Sequence, residues 1–238
     1  MELIRTIKAD HPLWGYRRVH SFICYNHKLK VNHKRVYRLM SENNLCVSKN
    51  AKLKARRSAT TSKPRTIEPN RIWGTDMTKV RTLYGGWAYL HVVIDWGSKA
   101  FIGACVSHTS KTSDWLCALN DSVNRQFPNG IRMHDSLMLV SDNGCQPTSK
   151  RYQKECHYLN IQQVFTSFNN PKGNADTERF IRTLKEDLVW PREWENISDF
   201  SHAVTEWMDD YNKKFPHSSI GKIPPYEYER WFYASNAA

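Results

Sequence analysis

The order of apolar segments after residue 71 constrains the fold more than any other feature of the sequence. Three segments rich in β-branched and aromatic residues follow one another: WGTDMTKVRT, WAYLHVVID and AFIGACVS. Gly85 and Gly86 separate the first two segments, and Gly97 separates the second from the third. Short strands joined by glycine turns are typical of an antiparallel meander, so we predict three consecutive strands here.

Helical and strand patterns alternate in the rest of the chain. Two short apolar segments have the pattern of buried strands, and the longer amphipathic segments around them have the pattern of helices. In chain order they are helix 112–127, strand 136–142, helix 149–159, strand 161–167, and helices within 169–188 and 198–215. This order predicts an α/β fold with an RNase H-like mixed five-stranded sheet and flanking helices.

The charge of the chain favours a polyanionic partner. Lys and Arg number 35 against 23 Asp and Glu, which gives a formal net charge of +12. A charge of this size favours nucleic acid, although a soluble basic protein without a defined partner is the plainer alternative. Six scattered cysteines indicate no disulfide framework, and no apolar run of about 18 residues is present. We therefore expect a reduced, cytoplasmic protein without a membrane segment.

Residues 1–47 have the pattern of a small helical region. Apolar residues recur at helical spacing around Val19 and again around Val36, and Asn32 is placed as an N-cap before the second group. Two short helices joined by a turn suit a helix-turn-helix DNA-binding region. The alternative is a helical hairpin that packs on the main domain. The predicted DNA contacts on the outer faces are Arg17, Arg18, Lys34, Arg35 and Arg38.

A basic linker is predicted at residues 48–68, before a main domain at 69–232. Residues 48–66, SKNAKLKARRSATTSKPRT, contain seven Lys or Arg and no acid. Such a segment is commonly solvated, but beside a DNA-binding region it is expected to lie along phosphates. The linker residues predicted to contact DNA are Lys52, Lys54, Arg56 and Arg57.

Three acids lie where a metal-dependent reaction could use them. Asp76 lies in the first predicted strand, Asp142 directly follows an apolar strand, and Glu178 lies in the first turn of a helix. Three carboxylates near one point repel one another unless cations lie among them. Mg²⁺ prefers such oxygen ligands, and two ions about 3.5–4 Å apart suit phosphodiester chemistry. Each acid taken alone is better explained as a cap or a surface charge.

The helix that follows residue 174 is amphipathic. At about 100° per residue, its apolar stripe leaves Glu178 and Lys185 together on one flank, with Arg182 beside them. Asp95 ends a strand and is therefore the main rival of Asp76. Asp187 has the pattern of a surface charge near the helix end.

These motifs resemble the DDE transposases of insertion sequences, whose catalytic core is similar to that of retroviral integrases. The nearest resemblance is to the insertion-sequence-three family, OrfB type, and it extends over nearly the whole chain. Asp142 and Glu178 are 36 positions apart (178 − 142), as in the family pattern, and Lys185 follows seven positions later. The segments that carry the resemblance are HPLWGYRRVH, VNHKRVYRLMSENNL, WGTDMTKV, VVIDWGSKAFIGACV, VSDNGCQPTS, PKGNADTERFIRTLKEDL and YNKKFPHSSIGKIPPYEY.

The resemblance implies a polynucleotidyl transferase that cuts DNA at the ends of an insertion element and joins them to target DNA. It implies that Asp76, rather than Asp95, acts with Asp142 and Glu178 to hold Mg²⁺ or Mn²⁺, as two ions. Further partners implied are a second copy of the chain on DNA and the product of an upstream reading frame, which supplies another helix-turn-helix. The residues implied to contact substrate DNA are Lys185, Arg182, Asn143 and Asn174.

Two other functions compete with strand transfer. A non-cutting DNA-binding regulator, or a truncated product that occupies the element ends, would need the basic regions alone. A structure-specific nuclease would need the acids but not the helix-turn-helix. The complete set of acids favours an enzyme, and the N-terminal region together with the linker favours a transposase.

Overall fold

The computed structural model describes residues 1–47, 66–132, 135–166 and 173–236. Most of the predicted linker falls outside these ranges, including the four linker residues predicted to contact DNA. The proposed division of the chain at residues 47 and 68 stays a prediction. None of the helices in the described ranges is long and apolar enough to cross a membrane.

A five-stranded mixed sheet forms the centre of the fold, as the sequence predicts. The spatial order is β3-β2-β1-β4-β5. The first three strands pair antiparallel, whereas β4 pairs parallel with both β1 and β5. The strands are β1 (Ile72–Thr82), β2 (Gly86–Asp95), β3 (Phe101–Ser107), β4 (Met138–Ser141) and β5 (Gln162–Phe165).

Helices cover both faces of the sheet because the strand residues alternate between two apolar layers. Ile72 and Val92 belong to the layer with α6 and α7, while Trp73 and Val93 belong to the layer with α4 and α5. The helices are α1 (Glu2–Asp10), α2 (Tyr16–Asn26), α3 (His33–Glu42), α4 (Thr112–Gln126), α5 (Lys150–Tyr158), α6 (Ala175–Leu184), α7 (Ile197–Lys214) and α8 (Pro225–Asn236). A π-helical segment, Lys185–Val189, continues α6 directly.

Strand β1 has two partners only at its beginning. Its first three residues pair with Met138–Val140 of β4, and beyond Gly74 only β2 pairs with it. The turn from β1 to β2 uses Gly86 at φ +74°, a left-handed conformation that glycine adopts without strain. One edge of β1 is therefore unpaired by strands from residue 75 onward, and the candidate site lies at this edge.

The N-terminal helices pack against the main domain. Asn32 caps α3 as predicted, because its Oδ1 accepts a hydrogen bond of 2.8 Å from the backbone N–H of Lys34. Trp14 and Met40 are buried in the same apolar cluster as Leu188 and Phe215 of the main domain. The sequence left a helix-turn-helix and a packed hairpin as alternatives. The structure shows that this helical unit packs on the main domain, which does not exclude a helix-turn-helix.

The expected position of Arg18 on the outer face is wrong. Its guanidinium carbon lies 4.5 Å from the ring centre of Phe215, at the junction with the main domain. Burial lowers the pKa of Arg18 below its ordinary value, and Asp187 opposes that effect. The helix turns this residue inward because its long side chain can stack on aromatic rings while keeping an acid nearby.

Candidate active site

The pairing of β1 with β4 brings Asp76 and Asp142 to the same edge of the sheet. The register pairs Gly74 with Val140, so both acids lie two residues beyond the last pair. Paired residues of neighbouring strands point to the same face, and the strands are about 4.8 Å apart. Asp76 is half-buried and Asp142 is exposed. The backbone N–H of Met77 donates to Asp76 Oδ1 at 2.7 Å, and that of Gly144 donates to Asp142 Oδ1 at 3.1 Å.

Helix α6 reaches this edge because its first turn is fixed to β1. A side chain at Gly74 would meet Thr177 Oγ1 at 2.1 Å, so only glycine allows this close approach. Trp96 Nε1 donates to Thr177 Oγ1 at 3.1 Å, directly over Gly74. Asn174 Nδ2 donates to the carbonyl oxygen of Thr75 at 3.3 Å. These contacts hold the exposed Glu178 one residue beyond Thr177, beside the edge that carries Asp76.

Asp142 and Glu178 act electrostatically on Asp76. The pKa of Asp76 is raised to about 6, mainly by burial and also by the charges of Asp142 and Glu178. The hydrogen bond from Met77 and the charge of Lys185 oppose the rise. A surplus of negative charge at a partly buried point is the condition that a cation relieves.

The donor chemistry fits a hard divalent cation, but the side chains do not converge on one point. Carboxylate oxygens are the ligands that Mg²⁺ and Mn²⁺ prefer. Within the described ranges, no three His, Cys, Asp or Glu side chains have the arrangement of a metal site. Asp142 and Glu178 are exposed, so rotation of their side chains is not restricted by packing. The carboxylate oxygens therefore suit such an ion chemically. To bind it together, the side chains of Asp142 and Glu178 have to rotate.

Lys185 carries a positive charge that lowers the pKa of Asp76. It begins the π-helical segment, in which the backbone N–H of Trp190 donates to Lys185 O at 2.8 Å, five residues back. π-Helical turns are rare and are frequent at functional sites. Arg182 is exposed and forms an ion pair of 2.8 Å with Glu186. Lys185 therefore adjoins the acids, and Arg182 lies on the solvent side of the same helix.

The two asparagines expected to position substrate have structural contacts. Asn143 Nδ2 donates to the carbonyl oxygen of Thr166, which ties the end of β4 to the end of β5. Asn174 is buried and holds α6 to β1, while its Oδ1 is buried without a hydrogen-bond partner among the described residues. A contact of either residue with DNA stays a prediction.

The remaining N-terminal cations predicted to contact DNA are exposed. Arg17 Nε donates to the hydroxyl of Tyr16 at 3.0 Å, and Arg38 forms a loose ion pair of 3.7 Å with Glu42. Lys34 and Arg35 lie on the exposed first turn of α3. Unlike the half-buried Arg18, these four cations are exposed, and their role stays a prediction.

Asp95, the rival of Asp76, lies in a different environment. It pairs with Trp73, whereas Asp76 pairs with Val92, so the two acids point to opposite faces of the sheet. Asp95 is fully buried and accepts hydrogen bonds from the hydroxyl and the backbone N–H of Ser98, at 2.7 and 2.9 Å. Its hydrogen-bonding capacity is used within the fold, which indicates a structural role.

Asp187 was wrongly expected to be a surface charge. Its side chain is 1% exposed, and it accepts a hydrogen bond from Trp14 Nε1. No local pattern indicates this contact, because Trp14 is 173 positions away. The acid therefore belongs to the junction between the N-terminal helices and the segment that begins with Lys185.

Three segments, which together cover most of the chain, match known protein families. Residues 67–171 and 159–225 each match an integrase core domain family, and residues 1–52 match an HTH-like domain. The two integrase core matches together span residues 67–225, which include Asp76, Asp142, Glu178 and Lys185.

Several transposases are similar to the chain over nearly its whole length. The putative transposase for insertion sequence element IS986/IS6110 of Mycobacterium tuberculosis is 28% identical over 244 residues, which cover 97% of the chain and 86% of that protein. The putative transposase InsK of IS150 from Escherichia coli is 29% identical, over 92% of the chain and 78% of that protein. The transposase of IS904 from Lactococcus lactis is 29% identical, over 97% and 93%.

Two solved structures share the fold. A chain of the simian T-cell lymphotropic virus intasome, solved with a PP2A regulatory subunit, has a TM-score of 0.54 and 16% identity; the match covers 91% of this chain and 70% of that one. The catalytic core domain of BIV integrase has a TM-score of 0.51 and 23% identity, over 71% of this chain and 99% of that one. At these identities the likeness concerns the fold alone.

Proposed function

Because the chain belongs to the insertion-sequence DDE transposases with an integrase core domain, we propose that Asp76, Asp142 and Glu178 are its catalytic carboxylates. The protein is a polynucleotidyl transferase that cuts and transfers DNA strands during transposition. The observation that carries the assignment is the register of β1 with β4 together with the contact of α6 on Gly74. These bring three acids from distant parts of the sequence to one edge of the sheet.

A divalent cation is the cofactor that this set of acids suits, and we propose two Mg²⁺ ions, or Mn²⁺ in their place. When bound, they would lower the pKa of the attacking water or 3′-OH and neutralise charge on the leaving oxygen. Asp76 supplies a ligand from the rigid strand. Asp142 and Glu178 supply ligands from exposed positions, where their side chains can turn toward Asp76.

The residues of the chain orient the scissile phosphate. Lys185 lies close enough to affect Asp76, so its ammonium group can bind a phosphate oxygen next to the acids. Arg182 binds a phosphate further along the DNA strand, when its ion pair with Glu186 is replaced by one with the phosphate. Asn143 and Asn174 fix the ends of β4 and α6, and we propose that they position the substrate through these elements.

DNA is the partner of the chain. The two ends of the insertion element are brought together by self-association of the protein. We propose that element ends and target DNA contact the exposed cations of α2 and α3 and the basic linker. We also propose a homo-oligomer on DNA, and joint action with the product of an upstream reading frame. The resemblance to the insertion-sequence-three family supports these last two points. A test of the upstream partner is to compare strand joining by the chain alone with joining by the fusion.

The assignment is tested with a labelled duplex that carries one end of the insertion element and with Mn²⁺ as the cation. The wild-type protein is expected to cut this duplex and to join it to a second DNA. Asp142→Asn is expected to bind the duplex with unchanged affinity and to cut it at least about 10³-fold more slowly. Asp209→Asn is the matched control, because Asp209 forms only an exposed ion pair with Lys213.

The products separate the competing functions. Joined strands support transfer, hydrolysis without joining supports a structure-specific nuclease, and a shift without cleavage supports the non-cutting regulator. Strand joining by Asp142→Asn at the wild-type rate would contradict the assignment of the catalytic acids.

A further inference from the structure

A hydrogen bond joins the N-terminal helices to the helix that carries Glu178. Trp14 Nε1 lies 2.9 Å from Oδ1 and 3.1 Å from Oδ2 of Asp187. Trp14 is 1% exposed, and the side chain of Asp187 is exposed to the same small extent. Both partners are thus removed from water, and a hydrogen bond to a buried carboxylate is stronger than one between neutral groups.

Two further groups surround the Asp187 carboxylate. His11 stacks on Trp14 with ring centres 3.8 Å apart, and its Nδ1 lies 3.5 Å from Asp187 Oδ2 without hydrogen-bond geometry. The guanidinium carbon of Arg18 lies 5.6 Å from the ring centre of Trp14. The negative charge of Asp187 opposes the fall in the pKa of Arg18 that burial causes, so the two charges attract each other. A buried carboxylate needs such partners, because removing it from water is unfavourable.

The turn that presents Trp14 is itself fixed. Lys8 of α1 is buried, and its Nζ donates hydrogen bonds to the carbonyl oxygens of Pro12 and Trp14. On its other side, Trp14 contacts Phe215 edge to face, with ring centres 5.0 Å apart. The indole N–H therefore has little freedom, and its direction is set by α1 and by the end of α7.

The position of Asp187 on the helix links its contact with Trp14 to the flank that carries Glu178 and Lys185. Asp187 follows Glu178 by nine positions, which is about 180° around an α-helix. Glu178 and Lys185 are on one flank of the apolar stripe, whereas Asp187 is on the other. The stripe packs on the sheet through Phe180 and Leu184. A change in the roll of the helix at one flank therefore moves the groups on the other flank.

We propose that Asp187 is a positioning residue: its contact with Trp14 sets the roll of the Lys185–Val189 segment and so the place of Lys185 beside the catalytic acids. The inference rests on the proposed function of those acids. It assigns the N-terminal unit a second task besides holding DNA, because the same unit keeps the catalytic helix in place. The π-helical segment is the element through which this acts, since Lys185 and Asp187 both belong to it.

Trp14→Phe tests the contact, because phenylalanine keeps an aromatic ring in the cluster and removes only the N–H donor and the second ring. The rate constant kcat for cleavage of the element end is expected to fall about tenfold or more, as expected for a lost hydrogen bond to a buried charge. The KM for the DNA end is expected to stay within about twofold of the wild-type value, because no exposed cation changes. Measurements are made where thermal unfolding shows the variant to be fully folded.

Asn26→Ala is the matched control. Asn26 Nδ2 donates at 3.2 Å to the carbonyl oxygen of Lys214, so this substitution also removes a hydrogen bond between α2 and the main domain. It does so at the end of α7 and not at the π-helical segment. Both kcat and KM of this variant are expected to stay close to the wild-type values.

Hydrogen exchange of the metal-free protein gives a second readout that does not depend on activity. The amides of Lys185–Val189 are expected to exchange faster in Trp14→Phe than in wild type, and at the wild-type rate in Asn26→Ala. Unchanged exchange of this segment together with unchanged kcat in Trp14→Phe would overturn the inference. An equal loss of kcat in Asn26→Ala would overturn it as well, because the effect would then reflect docking in general. A wild-type protein that cuts no DNA would refute the proposed function instead, and the exchange result would then decide the inference alone.

Discussion

Two groups of acids lie three residues apart along the β1–β2 pair, and they differ in the hydrogen bonds that the fold gives them. Asp76, with Asp142 and Glu178, lies at the edge that β1 leaves unpaired. Asp95 lies opposite Trp73, three residues back along β1, and contacts Glu229 through Ser98. Three residues of a strand span about 10 Å, so the two groups are close in space but on opposite faces of the sheet.

The difference between the groups lies in their hydrogen-bond donors. Ser98 Oγ lies 2.7 Å from Asp95 Oδ2 and 2.8 Å from Glu229 Oε1. One hydroxyl has a single proton to donate, so one of these carboxyl groups must itself carry a proton. The pKa of Glu229 is raised to about 7, mainly by burial and also by the charge of Asp95. Burial raises the pKa of Asp95 as well, but hydrogen bonds from Ser98 and Gly97 oppose that rise. We therefore assign the proton to Glu229, and the pair is then satisfied within the fold.

The three acids proposed to be catalytic have fewer hydrogen-bond donors around them. From the described residues, Asp76 and Asp142 each accept one backbone hydrogen bond, and Glu178 accepts none. Charges that repel one another at a half-buried point reduce stability, so a chain keeps them only where they have a function. The comparison teaches that residue type does not separate catalytic from structural acids, whereas the donors around them do.

The largest expected effect is that of Asp76→Asn. This substitution removes a proposed metal ligand, and cleavage of the element end is expected to fall by about 10³-fold or more. Because the pKa of Asp76 is raised to about 6, its charge costs stability above that pH. The free energy of unfolding without metal at pH 8 is therefore expected to rise by about 1 kcal/mol. Urea unfolding and a cleavage assay on the same preparation measure both changes.

Asp95→Asn is the opposite control for this comparison. Burial raises the pKa of Asp95, so loss of its charge alone would not destabilise the fold. The free energy of unfolding is nevertheless expected to fall, because the NH2 group of asparagine would face hydrogen-bond donors of Ser98 or Gly97 that now have a carboxylate acceptor. Cleavage per folded molecule is expected to stay near the wild-type rate. A gain of stability in Asp95→Asn, or a loss in Asp76→Asn, would show that the two groups do not differ as described.

A smaller effect, on both stability and activity, is expected from Gly74→Ala. The new Cβ would lie 2.1 Å from Thr177 Oγ1 and 2.3 Å from Trp96 Nε1, so α6 has to move away from β1. Overpacking of this kind costs roughly 3 kcal/mol. Because α6 carries Glu178, cleavage is also expected to fall, and Mn²⁺ is expected to bind more weakly in a calorimetric titration.

Gly103→Ala is the matched control, since its Cβ would lie 1.9 Å from Ser122 Oγ on the other face of the sheet. It is expected to lose stability to a similar extent while Mn²⁺ affinity is kept. Equal loss of Mn²⁺ affinity in both variants would mean that the approach of α6 to Gly74 has no special part in the site.

Local patterns in the sequence were sufficient for most of the fold. Glycines mark both turns of the meander, and Asn32 caps α3 through a partner two residues away. The positions of Asp76 in β1 and of Asp142 just after β4 follow from the same local patterns. Their role as ligands stays a prediction, because the structure brings these acids near one another without converging them on a point.

Local patterns do not predict contacts between residues that are far apart in the sequence. Asp187 has the spacing of a surface charge, and only Trp14, 173 positions away, makes it a buried acid. Arg18 likewise turns inward because Phe215 lies across the junction. Glu229 meets Ser98 over 131 positions. In each case a partner far away in the sequence buries a polar side chain, and helical or strand periodicity does not predict such a partner.

The smallest expected effect is a change in the pH dependence of stability in Glu229→Gln. The pKa of Glu229 is raised from an ordinary value of 4.5 to about 7, so between these pH values the folded chain holds a proton that the unfolded chain releases. Stability of the wild type therefore falls as pH rises through this window. Glutamine needs no proton and can donate its amide to Ser98. The variant is expected to gain roughly 1–2 kcal/mol on the wild type between about pH 4.5 and 7, and nothing below it.

Urea unfolding at a series of pH values measures this difference, and Glu227→Gln is the control. Glu227 lies two positions earlier on α8 and forms an ion pair of 2.6 Å with Arg230 at the surface. Its substitution is expected to leave the slope of stability against pH unchanged in this window. The same slope in wild type and Glu229→Gln would mean that Glu229 carries no proton in the folded chain. Ser98 would then donate to one carboxylate only, and the two groups of acids would be alike in bearing unrelieved charge.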